Sequence, residues 1–206
     1  MIAILTKADL DTHHHVFDQM FRGRAVVFHE MYSPDISVSE GREVDRYDEA
    51  GDPVYLISAD NSGNVAGSLR LLPTVDDTIL QNEFKDFFDV PVDFRCPTAW
   101  ECTKFCIHPK NSTSDIDLCQ TVASELLIEL CALALRSGIE HIISVHEMRM
   151  MKIYRCVGWE PDQLAHARGN PDGLAVGLWE VSETQLGKMR DHAMQDSSHV
   201  KSHEHG

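Results

Sequence analysis

Basic side chains are scarce in this sequence. Its 206 residues include 18 lysines and arginines against 33 aspartates and glutamates, and the net charge is -15. Nucleic acids and anionic membranes bind basic surfaces, so this balance argues against both as partners. No apolar run approaches transmembrane length, and the run at residues 1–5 is too short for a signal peptide. We therefore expect a cytoplasmic protein that binds neither nucleic acid nor membrane.

Metal-binding patterns are also missing. The six cysteines contain no CxxC pair, and without a secretion signal we expect free thiols rather than disulfides. No zinc ligand set can be assembled, and the adjacent residues His13, His14 and His15 would point in different directions on a helix. We expect no metal and no cofactor. The other residues considered as ligands are Cys96, Cys102, Cys106, Cys119, Cys131, Cys156, His199, His203 and His205.

Length and composition fit one globular domain. With 43% hydrophobic and 25% charged residues, the chain is long enough to bury a sizeable core. We expect a single domain over residues 1–194. The remaining segment, residues 195–206, is polar and histidine-rich, and we expect it to be disordered.

Hydrophobic periodicity predicts alternating strands and helices. Apolar residues recur at helical spacing over residues 9–30, where Gly23 would divide the run into two helices, and again over residues 115–136. Helices between strands indicate an α/β fold, a single-domain three-layer α/β/α sandwich with a mixed central sheet. Strands are expected at 2–6, 55–60, 64–72, 99–108, 139–146 and 174–181, further helices at 79–88 and 147–156, a hairpin turn at 61–64, and a loop at 33–41.

Charged residues lie inside two of the predicted strands, at Arg70 and Glu101. A charge inside a strand must face a cleft or a partner, so we expect the two side chains to share one polar pocket. Such a pocket suits a zwitterionic or cationic small ligand. A carboxylate beside an ammonium can act as general base, since an α-amino group has an ordinary pKa of about 8. The alternative is a structural ion-pair network. The expected acids of this negative pocket are Asp45, Asp48 and Glu101, and the counter-charges are Arg24, Arg70 and Lys104.

Four short motifs contain these charged residues. They are Arg24-x-x-x-Phe28, Glu43-x-Asp45-x-x-Asp48, Gly67-x-x-Arg70-Leu-Leu-Pro73-Thr74 and Glu101-x-x-Lys104-Phe105. In this order and spacing the series resembles the acyl-homoserine lactone synthases, the autoinducer synthases of bacterial quorum sensing. The resemblance covers residues 15–160 and implies a fold related to the GNAT acyltransferases. It also implies a two-step reaction. The amine of S-adenosylmethionine attacks the thioester of an acyl group on acyl carrier protein, and the methionine carboxylate then expels methylthioadenosine and closes the lactone.

The resemblance implies roles for individual residues. Glu101 matches the residue proposed as general base, acting through a water. Asp45 and Asp48 match the acidic pair of the adenosylmethionine site, and Arg24 and Phe28 match its N-terminal wall. We therefore expect S-adenosylmethionine to be a substrate and not a cofactor. The expected catalytic residues are Glu101 and Asp45, and the expected substrate-binding residues are Arg24, Phe28, Asp48, Arg70, Lys104, Phe105 and Ser144.

Arg70 matches the arginine that holds the acidic pair in place, but two other positions depart from the family pattern. The family usually has arginine three residues after the glutamate, where this chain has Lys104. Lysine keeps the charge without the bidentate fork, so we expect Glu101 to be held less firmly. The family also has a tryptophan where this chain has Pro34. Tyr32 would supply an aromatic ring from nearby, so the loop over the adenosylmethionine site must differ.

Ser144 falls where family members often carry threonine or serine when they accept acyl chains oxidised at C3. Its hydroxyl would hydrogen-bond a 3-oxo or 3-hydroxy group; the alternative is an ordinary strand serine. The apolar residues around it either line an acyl tunnel or belong to the core. They are Ile142, Val145, Met148 and Met151.

A local basic stripe, defined as Arg149, Lys152 and Arg155, follows at three-residue spacing on a predicted helix. Because acyl carrier protein is strongly acidic, the basic stripe is our candidate docking surface for it. The alternative is a solvated helix face. Acyl-CoA is the alternative acyl donor.

Two other functions compete with the synthase. The first is a GNAT-type N-acyltransferase that uses acyl-CoA, a class that places a glycine-rich phosphate loop after its central strand. The equivalent segment here, residues 108–115, contains no glycine, so its backbone is poorly suited to hold pyrophosphate. The second is a non-catalytic relative, which only Pro34 and Lys104 favour.

Overall fold

The computed structural model describes residues 1–30, 36–108 and 116–203; for residues 30, 116–119 and 196–203 it describes the backbone alone. Pro34, Tyr32 and most of the glycine-free segment lie outside the described residues, as do the expectations that rest on them. Within the described ranges, no helix is both long enough and apolar enough to cross a membrane.

The described residues form seven strands. These are β1 (Ile2–Thr6), β2 (Val54–Ala59), β3 (Val65–Pro73), β4 (Ala99–Ile107), β5 (His141–Glu147), β6 (Asp162–His166) and β7 (Leu174–Glu180). They make one sheet in the order β1-β2-β3-β4-β5-β7-β6. β4 and β5 run parallel, whereas every other neighbouring pair is antiparallel. The predicted mixed sheet is confirmed.

The helices connect these strands or follow them. They are α1 (His14–Arg24), α2 (Arg46–Glu49), α3 (Ile79–Asn82), α4 (Ile116–Arg136), α5 (Met151–Val157) and α6 (Glu183–His203). Short 3-10 helices occupy Lys7–Asp9 and Met148–Met150, and a π-helical segment occupies Ala25–Glu30.

Helices cover both faces of the sheet because successive strand residues point to opposite sides. In β2, Leu56 belongs to a core cluster that contains Leu126 of α4. Its neighbours Tyr55 and Ile57 pack with Phe17 of α1 on the other face. The predicted three-layer α/β/α sandwich is therefore confirmed.

The first long helical run differs from its prediction. Gly23 does not divide it, since α1 includes this glycine and continues directly into the π-helical segment Ala25–Glu30. A Cβ at Gly23 would lie 2.1 Å from the ring of His108. The glycine therefore allows α1 to approach the end of β4.

Four other elements also differ. The helix expected at 79–88 is only the single turn α3, and the helix expected at 147–156 begins as the 3-10 helix Met148–Met150. β6 was missed because DQLAH contains no β-branched residue. The backbone of α6 is helical to His203, where disorder was expected from residue 195. Leu186 and Met189, near the start of this helix, are buried. The boundary at residue 194 stays a prediction.

Two irregularities in β4 shape the site. Its pairing with β5 covers only Ala99–Glu101 against His141–Ile143, so a crevice opens between the two strands beyond that point. On the other side, the register with β3 shifts between Ser68 and Arg70. Lys104 lies at this bulge with a φ of 53°, a left-handed conformation that redirects its side chain.

Candidate active site

A buried network of ion pairs begins at the end of α1. Arg24, 1% exposed, donates from Nε to Glu43 at 2.7 Å and from its two terminal nitrogens to Asp48 at 3.1 and 2.9 Å. The Tyr55 hydroxyl also donates to Asp48, at 2.8 Å. Burial alone would raise the pKa of Asp48, but Arg24 and Arg70 hold it well below its usual range. This carboxylate is therefore ionised whenever the protein is folded near neutral pH.

Arg70 supplies the second half of the network from β3. It makes a bidentate pair with Asp45 at 2.5 and 2.9 Å, contacts Asp48 at 2.8 Å, and donates from Nε to the Thr103 hydroxyl at 3.0 Å. Asp45 also caps α2 by accepting from the backbone N–H of Tyr47 at 2.9 Å. The D-x-x-D spacing places the two acids at the N-cap and third helical positions, which directs both side chains to one helix end.

Lys104 belongs to the charge network and does not hold Glu101, although the sequence predicted that it would. Its Nζ lies 2.7 Å from Glu43, 3.5 Å from Asp45 and 5.2 Å from the centre of the Phe28 ring. The expectation that lysine at this position leaves Glu101 less firmly held is therefore wrong, because Lys104 is directed away from that task by the bulge.

The network is balanced in charge, so the predicted negative pocket is corrected. It contains three carboxylates and three cationic side chains, which together satisfy one another. Asp45 is the carboxylate with the most exposed side chain, at 23%, against 2% for Asp48 and Glu43. Asp45 is thus the acid of the network most accessible to a ligand.

Glu101 lies in the central strand β4 and is 1% exposed. Its two carboxylate oxygens accept from the backbone N–H groups of Ile79 and Leu80, each at 2.9 Å. Burial raises the pKa of Glu101 to about 7, and these two N–H groups oppose the rise. A carboxyl with a pKa near neutrality can accept and release a proton under physiological conditions.

A cavity of about 520 Å³ lies against Glu101, in the crevice between β4 and β5. Of the expected site residues, Glu101, Lys104, Phe105, Phe28 and Ser144 line it. The Ser144 hydroxyl donates to the Val145 carbonyl at 3.2 Å. The remaining lining is largely apolar and includes Ile36, Phe84, Met150, Tyr154 and Leu174.

The other expected residues lie behind this cavity. Arg24, Arg70 and Asp48 are buried in the network and do not line the cavity. Asp45, although its side chain is 23% exposed, does not line it either. Arg70 and Glu101 make no ion pair in the described part of the chain, so their predicted shared pocket is corrected to two adjoining sites. Thr103 connects them, since it contacts Arg70 and lines the cavity.

Two of the three residues in the basic stripe are paired with carboxylates. Arg149 pairs with Glu147, and Arg155 pairs with Glu160 at 2.9 Å, while Lys152 is exposed. The three residues also do not share one helix, because Arg149 belongs to the 3-10 helix before α5. The role of the basic stripe in docking stays a prediction.

Sequence reasoning missed several polar residues at the site. Tyr47 lies inside the D-x-x-D motif, and its buried ring is 5.5 Å from the Arg70 guanidinium carbon. His146 lines the cavity two residues after Ser144. The two-residue period of a strand would have found His146, whereas no spacing rule identifies Tyr47.

Five cysteines have described side chains, and all five are free thiols: Cys96, Cys102, Cys106, Cys131 and Cys156. Cys119 lies outside the described side chains. No group of three or more His, Cys, Asp or Glu side chains among the described residues is placed to hold a metal ion.

Comparisons with known proteins identify the family of this chain. The family model described as "Autoinducer synthase" matches residues 8–178. The chain belongs to this family. An acyl-homoserine-lactone synthase of Rhizobium etli is 47% identical over 190 residues, which cover 92% of this chain and 89% of that protein. The synthase is therefore an acyltransferase, and the expected family is confirmed.

Solved structures support the fold. The CoA-dependent acyl-homoserine lactone synthase BjaI, solved with SAM and isopentyl-CoA, has a TM-score of 0.80 at 21% identity, covering 94% of this chain and 89% of that one. An N-acetyltransferase from Lactobacillus plantarum described as putative has a TM-score of 0.54 at 13% identity, covering 88% and 99%. The predicted relation to the GNAT acyltransferases is confirmed at the level of fold.

Proposed function

We propose that this synthase transfers the acyl group of acyl-acyl carrier protein to the amine of S-adenosylmethionine and then closes the homoserine lactone. The observation that carries this proposal is a buried glutamate with a pKa of about 7 at the wall of a largely apolar cavity, directly beside the charge network. The products are the N-acyl lactone, methylthioadenosine, the free carrier thiol and one proton.

Glu101 acts as the general base. Its carboxylate is ionised above about pH 7, and the α-amine it serves has an ordinary pKa of about 8. The two values are close, so proton transfer needs little driving force. Since β4 parts from β5 after Glu101, backbone N–H groups along this part of β4 are the natural donors to the thioester oxyanion.

Asp45 and Phe28 receive the cationic substrate. A sulfonium and an ammonium favour a carboxylate and an aromatic face. Asp45 has the most exposed carboxylate of the network, and Phe28 lines the cavity. Arg70 holds Asp45 through two parallel hydrogen bonds, so the acceptor is fixed before the substrate arrives.

The apolar part of the cavity receives the acyl chain. Phe84, Phe105 and Leu174 line it together with Ser144. The Ser144 hydroxyl has a weak internal partner in the neighbouring Val145 carbonyl, so it is available to a 3-oxo or 3-hydroxy group. This supports acyl chains oxidised at C3 as substrates.

The central experiment is product analysis by mass spectrometry with S-adenosylmethionine and either acyl-carrier protein or acyl-CoA. We expect a lactone and methylthioadenosine from the wild type. Glu101→Gln is expected to remove the product while circular dichroism stays unchanged, since Gln keeps the shape and one acceptor. Glu49→Gln, at an exposed residue, is the matched control. Full activity of Glu101→Gln would exclude Glu101 as the base.

Variants of the basic stripe test which acyl donor the enzyme uses. In an acidic protein of net charge -15, an acidic carrier requires a local basic surface. We expect Arg149→Glu combined with Lys152→Glu to raise the KM for acyl-carrier protein without changing the KM for acyl-CoA. Lys188→Glu combined with Arg190→Glu, both at exposed positions of α6, controls for the change in net charge. Equal effects at both sites would exclude the stripe, and turnover with acyl-CoA alone would identify CoA as the donor.

A further inference from the structure

Tyr47 connects the charge network to the helix that holds Glu101. Its side chain is 5% exposed, and its ring lies 5.5 Å from the guanidinium carbon of Arg70. Its hydroxyl crosses from α2 to α3, where it donates to the Thr78 carbonyl at 3.0 Å and approaches the Glu83 carboxylate at 2.5 Å. The Tyr47 side chain thus contacts both the charge network and the helix whose N–H groups bind Glu101.

The contact with Thr78 has a specific consequence for Glu101. The Thr78 carbonyl and the Ile79 N–H belong to the same peptide group. The carbonyl accepts from Tyr47 at 3.0 Å, and the N–H donates to Glu101 at 2.9 Å. Hydrogen bonds arranged in a chain polarise one another, so the tyrosine makes this N–H a stronger donor to the carboxylate.

We propose that Tyr47 is a positioning residue, which holds Glu101 for catalysis through the peptide group joining Thr78 and Ile79. The inference rests on the proposed role of Glu101 as base. It deepens that role by assigning the control of the base to a residue of the substrate-binding motif.

The hydroxyl keeps its proton throughout the working range. Burial, followed by the hydrogen bond to Glu83, raises the pKa of Tyr47 to about 12. A single hydroxyl proton serves two acceptors, the Thr78 carbonyl and Glu83. Arg46 and Asn82 donate to the same oxygen at 2.8 and 3.3 Å. Glu83 therefore competes with the peptide group for the proton.

This competition gives two variants with opposite effects. The Thr78 carbonyl also accepts from the Asn82 side chain at 2.9 Å, so Tyr47→Phe removes one of its two side-chain donors. This weakens the Ile79 N–H and is expected to raise the pKa of Glu101 by about half a unit. Glu83→Gln replaces the charged competitor with a weaker acceptor, so the hydroxyl turns to Thr78 and the pKa of Glu101 falls by a smaller amount. A general loss of packing would not produce shifts of opposite sign.

The measurement is a 13C NMR titration of the Glu101 carboxyl carbon, assigned by its absence in Glu101→Gln. This readout needs no turnover, so it tests the inference separately from the proposed function, which fails if the wild type makes no lactone. The acid limb of the kcat/KM profile is expected to move in parallel. In Tyr47→Phe, kcat is expected to fall about tenfold with little change in the KM for S-adenosylmethionine.

Tyr55→Phe is the matched control, because its hydroxyl donates to Asp48 and not to α3. We expect it to raise the KM for S-adenosylmethionine and to leave the Glu101 titration at the wild-type midpoint. An unshifted Glu101 midpoint in Tyr47→Phe would overturn the inference. If that variant does not fold, Glu83→Gln and Glu83→Asp decide together, since the Glu83 side chain is 46% exposed and aspartate keeps the charge while its shorter side chain withdraws the carboxylate from the hydroxyl. An upward or absent shift in Glu83→Asp would overturn the inference as well.

Discussion

Replacement of Arg70 by methionine tests whether the charge network stabilises the fold. Arg70 is fully buried and contacts Asp45, Asp48 and Thr103. Methionine fills much of the volume but leaves Asp48, whose side chain is 2% exposed, with one arginine instead of two. Removing one partner of a buried ion pair costs about 3–5 kcal/mol, a large part of a typical unfolding free energy of about 5–15 kcal/mol.

This loss is large enough to measure in two ways. For a domain of this size each kcal/mol shifts the Tm by about 2–4 °C, so we expect a fall of about 6–20 °C. Urea unfolding at pH 7 gives the free energy directly. Arg42→Met is the matched control, because Arg42 pairs with Asp18 at 2.5 Å but both side chains are at least 32% exposed. An exposed pair contributes at most about 1 kcal/mol.

The pH dependence gives the sign of the effect. The folded-state pKa of Asp48 is lowered by Arg24 and Arg70, so its ionisation stabilises the protein above the unfolded value of about 3.9 and the benefit is lost as the pH falls below it. Arg70→Met lets the pKa of Asp48 rise. The deficit should therefore be largest near pH 7 and smaller near pH 4. A deficit below about 1 kcal/mol at pH 7, or one equal to that of Arg42→Met, would refute the reasoning.

Three further predictions follow from single contacts. Gly23→Ala should lower the free energy of unfolding, measured in urea, by about 1–3 kcal/mol, because its Cβ would meet the His108 ring. This loss outweighs the better helix propensity of alanine, and a more stable variant would contradict the prediction. Lys104→Arg should change the KM for S-adenosylmethionine, since Lys104 contacts Glu43 in the charge network. The acid limb of the kcat/KM profile against pH, which reports Glu101, should stay at the wild-type position; a shifted limb would contradict this. Ser144→Ala should reduce the preference for 3-oxo over saturated acyl donors by about three- to tenfold in competition assays, and an unchanged ratio would show an ordinary strand serine.

The sequence predicted well what a fixed spacing determines. The D-x-x-D pair was expected at one site from the family motif, whereas its position at the cap and first turn of a helix was found only in the structure. Glu101 and Arg70 were each expected to meet a partner because a charge inside a strand must do so, but they lie in adjoining sites and not in the one pocket predicted. The three-layer fold followed from helices that alternate with strands.

The contacts of Glu101 could not be predicted, because its partners are backbone N–H groups of Ile79 and Leu80. Any residues at those positions would supply the same donors, so the side-chain pattern carries no signal. Lys104 was misjudged for a related reason. A bulge with a φ of 53° turns it toward Glu43, and strand periodicity assumes that no bulge intervenes.

The separation of β4 from β5 has a consequence for how such an enzyme changes its signal. The cavity lies between two strands of the central sheet, and Phe105 of β4 and Leu174 of β7 contribute to its apolar lining. Under the proposed function, exchange of either side chain for a smaller one would lengthen the acyl chain that fits and leave the charge network in place. A bacterial lineage would then acquire a different signal by point substitution alone.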